Sequence, residues 1–431
     1  MSETIALPIN QQNPMRRVLS IRDFFLLWIG QCTSLLGDQF NSIAGAWLVL
    51  KLTGDPLALG AVMALGGIPR AIFTVIGGAV TDRVSPRRVM LIADLIRLGI
   101  SALLAVQVLT GTLEVWMIYC YSLLSGIVSG MFAPASMSIA PHILPGADLQ
   151  AGNSLMQGSL QLIGFAGPAM AGGLIALFPD ETVGVGLAIA FDALTFLVSV
   201  ITLWMMKAGG QGLATQSTDR KDSVLKSIGE GIGYMFKDPA LRLMFILIAI
   251  ANLAFGGPII VGIPYLADTR FLEGAAAYGL IVSGYAGGNL LGIVLSGALP
   301  KLSRKWLRIL LVTMFAFFGL GIGALAWIGN TWIAMGNLFI LGVLNGYLSI
   351  LMITGLQRNT AKEMLGRIMS MVLLANLGLM PLSQAIAGVI LRWNVPVLFL
   401  SASGLLLICA AYLAVPRVGA LLSTQLVNGQ D

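Results

Sequence analysis

Apolar residues run along this chain in long unbroken blocks rather than alternating with polar ones. Hydropathy places the blocks at 24–50, 57–81, 89–110, 115–137, 153–178, 184–206, 241–267, 275–299, 307–328, 332–356, 367–391 and 396–416. A helix rises about 1.5 Å per residue, so roughly 20 apolar residues cross the hydrocarbon core of a bilayer. A water-soluble domain has no use for so many segments of that length. The pattern predicts an all-α membrane protein, with twelve transmembrane helices in two pseudo-symmetric six-helix bundles.

Composition agrees. Hydrophobic residues make up 57% of the chain and charged residues 10%, against about a quarter charged in soluble domains. The net charge of +6 would fit a nucleic-acid partner if the basic residues clustered on one domain. They follow the loops instead. With the N-terminus inside, all but five of the 25 Lys and Arg fall on the inner side. Lys51, Arg270 and Arg392 lie outside, and Arg70 and Arg97 lie within spans. The positive-inside rule then puts both termini in the cytoplasm, in a bacterial-type plasma membrane, with no nucleic-acid role. The first 23 residues carry Arg16, Arg17 and Arg22 but no apolar core with a small-residue cleavage site, so no cleaved signal peptide is expected.

The organisation expected is a cytoplasmic segment (1–23), a first bundle (24–206), a cytoplasmic linker (207–240), a second bundle (241–416) and a cytoplasmic tail (417–431). Within the linker, Val224, Leu225, Ile228, Ile232, Met235 and Phe236 recur at helical spacing among charges, the mark of an amphipathic surface helix. The halves echo each other. Gly78 followed by Arg87 and Arg88 has a counterpart in Gly297 followed by Arg304 and Lys305, and Ala171-Gly172 has one in Ala387-Gly388. Similar offsets at two landmarks point to an internal duplication.

Ionisable groups at membrane depth are costly and usually functional. Asp38 in the first span and Arg70 in the second sit near the midplane at matching depth, where three roles are open. Asp38 is a proton carrier that releases Arg70 when protonated, or the two form a static pair, or Arg70 anchors an anionic substrate. Gln31, Ser34, Asp38, Asn41 and Gly45 give the first span one continuous polar face, which suits a helix lining a water-filled cavity. Asp192 lies about 12 Å into the sixth span, by helical rise, and is a further proton-coupling candidate, with a purely structural role as the alternative. Asp94 and Arg97, three apart near the inner end of the third span, are expected to join the charge cluster of the neighbouring loop. Ser154, Gln157 and Gln161 share one face of the fifth span. Asn252, Asn289, Asn345 and Asn376 supply isolated amides to the second half, for substrate or for helix-helix bonding. The 20 methionines and many aromatics fit an adaptable apolar pocket.

Between the second and third spans stands Gly78-Ala-Val-Thr-Asp82-Arg83-Val-Ser-Pro-Arg87-Arg88. Gly77 and Gly78 let a neighbouring helix approach closely, and the arginines meet the negative end of a helix dipole. Asp82 at a helix C-terminus needs a positive partner. The motif resembles the signature loop of the major facilitator superfamily, and the resemblance extends over essentially the whole chain. Ser34-Leu-Leu-Gly37-Asp38, Pro134-Ala135, Phe191-Asp192-Ala193 and Leu365-Gly366-Arg367 resemble its drug:proton antiporter branch of macrolide and siderophore exporters. That resemblance implies a latch in which Asp82 meets the start of the eleventh span near Gly366 and Arg367 in the outward-open state. Lys301, where a second such carboxylate would fall, implies that the other half lacks it. Gly164, Gly167, Pro168, Gly172 and Gly173 in the fifth span resemble an antiporter helix motif with altered spacing.

The resemblance implies export of amphipathic organic compounds, drug-like or siderophore-like, by proton antiport with alternating access. A lysophospholipid transporter of the same fold is the alternative, and an integral-membrane enzyme the rival of another class. No nucleophile, base and metal set recurs at one depth. His142 is the one histidine, and Cys32, Cys120 and Cys409 are scattered through apolar spans, so no metal and no cofactor are expected. No glycine-rich ATP loop is present. The partners expected are a small amphipathic substrate, protons and the lipid bilayer, with the chain monomeric.

Overall fold

A computed structural model describes residues 14–81, 83–207, 233, 238–299, 303–360 and 362–419. Asp82, Lys301 and the expected amphipathic helix of the linker lie outside the described residues, as do the side chains of Gly366 and Arg367. A short α1 (Pro14–Ser20) leads into α2 (Arg22–Thr53), α3 (Pro56–Thr81), α4 (Pro86–Thr110), α5 (Val115–Ser138), α6 (Leu149–Ala176) and α7 (Glu181–Met205). The second half comprises α8 (Pro239–Gly257) and α9 (Ile263–Thr269), then α10 (Gly274–Ala298), α11 (Arg304–Ala324), α12 (Thr331–Asn359), α13 (Lys362–Trp393) and α14 (Val395–Ala414). The molecule is an all-α membrane protein.

Local sequence sets the helix ends. Proline opens α3, α4 and α8, where a missing N–H costs nothing. Gly54 and Gly111 close α2 and α4 at φ 62° and 67°, a conformation that disfavours any residue with a Cβ. Asp238 and Asn330 cap α8 and α12 by accepting bonds from free backbone N–H groups.

Eleven spans among the described residues are long and apolar enough to cross a membrane. The remaining one, α2, is 32 residues long but carries the polar face of Gln31, Ser34, Asp38 and Asn41, which lowers its hydropathy. Its flanks do not face lipid on all sides, because α6 and α7 pack against it. The seventh block, expected to be one helix over 241–267, is interrupted by a π-helical turn, Pro258–Gly262. Pro258 and Pro264 each remove a backbone donor, and Ser383 of α13 bridges the break. Its Oγ accepts from Gly257 N at 2.7 Å and donates to Leu253 O at 2.6 Å.

The same pairings recur in both halves. In the first, α3 packs on α5, α4 on α7 and α2 on α6; in the second, α10 packs on α12, α11 on α14 and α8 on α13. Glycines allow the tightest of these approaches. Gly284, Gly288 and Gly292 meet Met335, Phe339 and Val343 of α12, so the small-residue face of α10 is an internal seam of the second half. Two further pairings join the halves, α6 with α10 and α3 with α13.

One end of the molecule holds α1, the close of α7 and the start of α8. There the Arg17 guanidinium bonds Asp148, and Arg22 donates to Met205 O. The opposite, far end carries Gly54, Gly111 and the start of α10. Side chains such as Ile72, Leu103, Phe317, Leu320, Ile340 and Ile408 are exposed on the outside of the bundles, as expected where the solvent is lipid.

Candidate substrate pathway and its charged flank

A cavity of about 400 Å³ lies between the halves. From the first half Asn41, Arg70, Tyr121 and Ser122 line it, and from the second Asn376, Pro381 and Gln384. Among the described residues, the Arg70 guanidinium is its one acidic or basic side chain. A second cavity of about 450 Å³ lies wholly within the second half. Phe255, Tyr285, Phe315, Phe318 and Met352 line it, with Asn252 and Asn345 as isolated polar groups. Phe255 stacks tilted on Tyr285 at 4.9 Å and edge-on against Phe318 at 5.9 Å. Asn376 and Met380 line both cavities, and Asn252 Nδ2 donates to Asn376 Oδ1 at 2.7 Å. Charge therefore belongs to the first half and apolar surface to the second.

Behind the first cavity, α2, α4 and α7 bring four charged residues together, Asp38, Asp94, Arg97 and Asp192, near Arg70 of α3 in its wall. Asp38 is partly exposed and within electrostatic reach of Arg97 and, more weakly, of Arg70. Neither pair closes to a contact within 4.0 Å among the described residues. Asp94 and Arg97 sit inside the bundle, and Asp82, the loop carboxylate expected to join them, lies outside the described residues. Asp94 is fully buried, accepts from Ser199 Oγ at 2.6 Å and lies 3.7 Å from Arg97. Arg97 is held over the rings of Phe132 and Phe196, at 4.5 and 5.4 Å. Asp192 is also 0% exposed; its Oδ2 accepts from Ser101 Oγ at 3.0 Å, and its Oδ1 has no partner. Ser101 and Tyr121 belong to this group although nothing in the sequence marks them, because a lone hydroxyl in an apolar span carries no pattern.

The remaining sequence candidates divide. Gln31 is partly buried with its Nε2 unpartnered, Ser34 is buried, and Asn41 reaches Tyr121. Ser154 and Gln157 are exposed on α6 and, like the partly buried Gln161, line neither cavity. Asn289 lies in the α10–α12 seam, against Gly342 and Gly346. In α6, Gly167 lies against Gln39 of α2 and Gly172 against Gly279 of α10, while Gly173 faces open space. A Cβ added at Gly164 would stand 3.8 Å from Gln39 Nε2, and the Pro168 carbonyl meets Gly279.

In the last turns of α3, Gly77 packs on Met131 and Gly130 of α5, whereas Gly78 faces open space. Arg87 reaches the end of α7, donating to Leu203 O at 2.7 Å and Trp204 O at 2.8 Å. Those carbonyls are the negative end of a helix dipole, but of α7 rather than α3. Arg83 and Arg88 are exposed.

The halves touch from mid-depth, where Gly67 meets Pro381 and Phe165 meets Gly287, to the far end. At that end Lys51 bridges Glu181 of its own half and Asp268 of the other, both at 3.0 Å. Trp47 Nε1 donates to Glu181 Oε2 at 3.2 Å and its ring lies under the Lys51 ammonium.

Two repeated bundles of apolar spans with a cavity between them have the frame of a transporter, and the family of the chain makes it one rather than an enzyme. The chain belongs to the Major Facilitator Superfamily, whose sequence profile matches residues 27–380. It is 25% identical to macrolide efflux protein A of Streptococcus pyogenes over 295 residues, 68% of this chain and 70% of that one. It is 23% identical over 382 residues to the multidrug efflux pump Tap of Mycobacterium tuberculosis, covering 84% of this chain and 86% of that pump. Among solved structures, it superposes on a D-xylose-proton symporter with a TM-score of 0.69 and on nucleoside transporter NupG with 0.66. Identity is 16% in both cases, with 91% and 93% of this chain covered and 97% and 98% of theirs. Its similarity to drug efflux proteins agrees with the antiporter branch to which the loop and span motifs pointed.

Proposed function

We propose that this protein exports amphipathic, drug-like organic compounds across a bacterial plasma membrane in exchange for protons, by alternating access. The observation that carries the reading is the division of the pathway. An apolar, aromatic cavity within the second half shares Asn376 and Met380 with the cavity between the halves, whose wall holds Arg70 and lies in front of Asp38 and Asp192. An amphipathic compound fits that boundary, with its apolar body against Phe255 and Tyr285 and its polar part toward Asn41 and Arg70. The relatives named as efflux proteins support the direction.

The basic loops put α1 and the linker in the cytoplasm, so the Lys51 cluster lies outside. In this reading the present conformation is closed to the outside. Asp38 and Arg70 act on each other as the proton arrives and leaves: a neutral Asp38 no longer attracts Arg70, whose guanidinium in the cavity wall is then free for the substrate. Asp82 with Gly366 and Arg367 forms the latch of the opposite state.

Inside-out vesicles with an imposed pH gradient test the reading. Purified protein is expected to accumulate a fluorescent lipophilic drug only when the lumen is acidic, and Asp38→Asn to abolish that dependence. Gradient-independent transport by the wild type, or unchanged coupling in Asp38→Asn, overturns it.

A further inference from the structure

Asp38 is partly exposed, whereas Asp192 is sealed inside the bundle. It is 0% exposed, with one carboxylate oxygen unpartnered and the other tied to a hydroxyl chain that ends in the cavity. Ser101 Oγ donates to Asp192 Oδ2 at 3.0 Å and lies 3.3 Å from Tyr121 Oη. Tyr121 lines the cavity between the halves. Asn41 Nδ2 donates to Tyr121 Oη at 2.7 Å.

That last bond sets the polarity of the chain. With one lone pair of Tyr121 occupied by the amide, the phenolic proton is free to point at Ser101, whose own proton points at Asp192. Each hydroxyl both gives and takes a proton, which is the requirement for a relay. A carboxylate buried with an oxygen unpaired is costly to maintain as a purely structural group, since an apolar residue of similar size avoids the penalty.

We propose that Tyr121 and Ser101 form a proton relay between the cavity and Asp192, making Asp192 a second, enclosed proton site of the exchange. It deepens the antiport reading and rests on it for its physiological use. On loading, a cavity hydronium gives a proton to Tyr121 Oη, the Tyr121 proton passes to Ser101 Oγ, and the Ser101 proton passes to Asp192 Oδ2. Water is left in the cavity, both hydroxyls are regenerated and the carboxylate becomes a carboxylic acid. Unloading runs in reverse. The charged groups facing Asp192 are Asp38 from α2 and Arg97 and Asp94 from α4, with the Tyr121 phenol from α5. Loading Asp192 therefore reduces the negative charge beside Asp38, which links the two sites.

The test is a pH jump on the purified full chain in nanodiscs, followed by time-resolved infrared spectroscopy of the protonated carboxyl stretch. The Asp192 band is assigned by its loss in Asp192→Asn. Tyr121→Phe and Ser101→Ala are each expected to slow the appearance of that band at least tenfold while preserving its final amplitude, and Ser101→Thr to restore the rate. Unchanged rates, a band that never responds to pH, or a lost amplitude at unchanged rate would overturn the relay; the last would mark Tyr121 as tuning the acid rather than feeding it. Drug-coupled proton flux in vesicles is scored separately, so a working relay without coupling sinks the antiport reading alone, and the converse sinks the relay alone.

Discussion

Gly172 of α6 and Gly279 of α10 meet backbone against backbone where the two halves join. Gly60 of α3 and Gly388 of α13 meet in the same way on the other side of the pathway. Gly279 follows Gly60 by 219 positions and Gly388 follows Gly172 by 216 (279 less 60, 388 less 172). The duplication read from sequence offsets is thus also a repeat of contacts, and the four glycines are the points where the far ends close.

A Cβ at Gly172 would stand 3.0 Å from Gly279 Cα, with backbone on the other side and no flexible group to yield. Gly172→Leu is expected to cost the closed arrangement about 1–3 kcal/mol, a factor of roughly 5–150 in its population. Gly173→Leu, one residue on and facing open space, is the control. Electron-electron distances between spin labels at Thr112→Cys and Gly329→Cys, in a background without the native cysteines, measure the shift. Equal distance distributions in the two leucine variants would remove the glycine pair from the gate.

Arg87 supplies a second check. It donates to two terminal carbonyls of α7, and Arg88 beside it is exposed. Charged hydrogen bonds are worth about 1.5–3 kcal/mol when buried, and partial solvent screening lowers that to about 1 kcal/mol here. Arg87→Ala is expected to raise amide exchange in the last turn of α7 several-fold, with Arg88→Ala unchanged. The opposite ranking would return the motif to a loop-anchoring role.

How far the sequence reaches depends on what each residue signals. Span count, the two halves and the polar face of α2 were all legible, because hydropathy and helical spacing report directly on the solvent each face meets. The pairing of Arg87 was not, since a basic residue after a helix does not say whose carbonyls it will find. Asp94 and Arg97 were legible as an i,i+3 pair, yet their enclosure by Phe132, Phe196 and Ser199 depends on three other helices. The aromatic cavity of the second half left no pattern, because Phe255 and Phe318 read as ordinary core until a void opens between them. The π turn could have been suspected from Pro258 and Pro264, but only Ser383, 125 residues beyond Pro258, makes it tolerable.

At the far end Lys51 joins three elements, α2, α7 and α9, and its side chain is 43% exposed. Exposed pairs contribute about 0.2–1 kcal/mol each and are screened by salt. Lys51→Met is therefore expected to lower far-end closure less than tenfold at low ionic strength and hardly at all at high ionic strength, by the same spin-label distances. A salt-independent effect would mean that the methylene stem of Lys51 over Trp47, and not its charge, holds the cluster.

The separation of apolar and charged surface makes the most discriminating prediction. Phe255 contacts both Tyr285 and Phe318, and among the described residues no acidic or basic side chain lines their cavity. Phe255→Ala removes an aromatic partner worth about 0.5–1.5 kcal/mol beyond its area, so affinity for an aromatic drug is expected to fall about two- to tenfold or more. Its pH dependence is expected to stay unchanged, because the titrating groups lie across the pathway in the first half. Arg70→Gln is expected to do the reverse, moving the pH dependence while leaving the affinity for an uncharged aromatic compound within about twofold, since the cavity that holds its rings is intact. Scintillation proximity binding across a pH series measures both. If Phe255→Ala moves the pH profile, or Arg70→Gln abolishes binding of the uncharged compound, then substrate and proton share one site, and the two halves do not divide the work as their linings indicate.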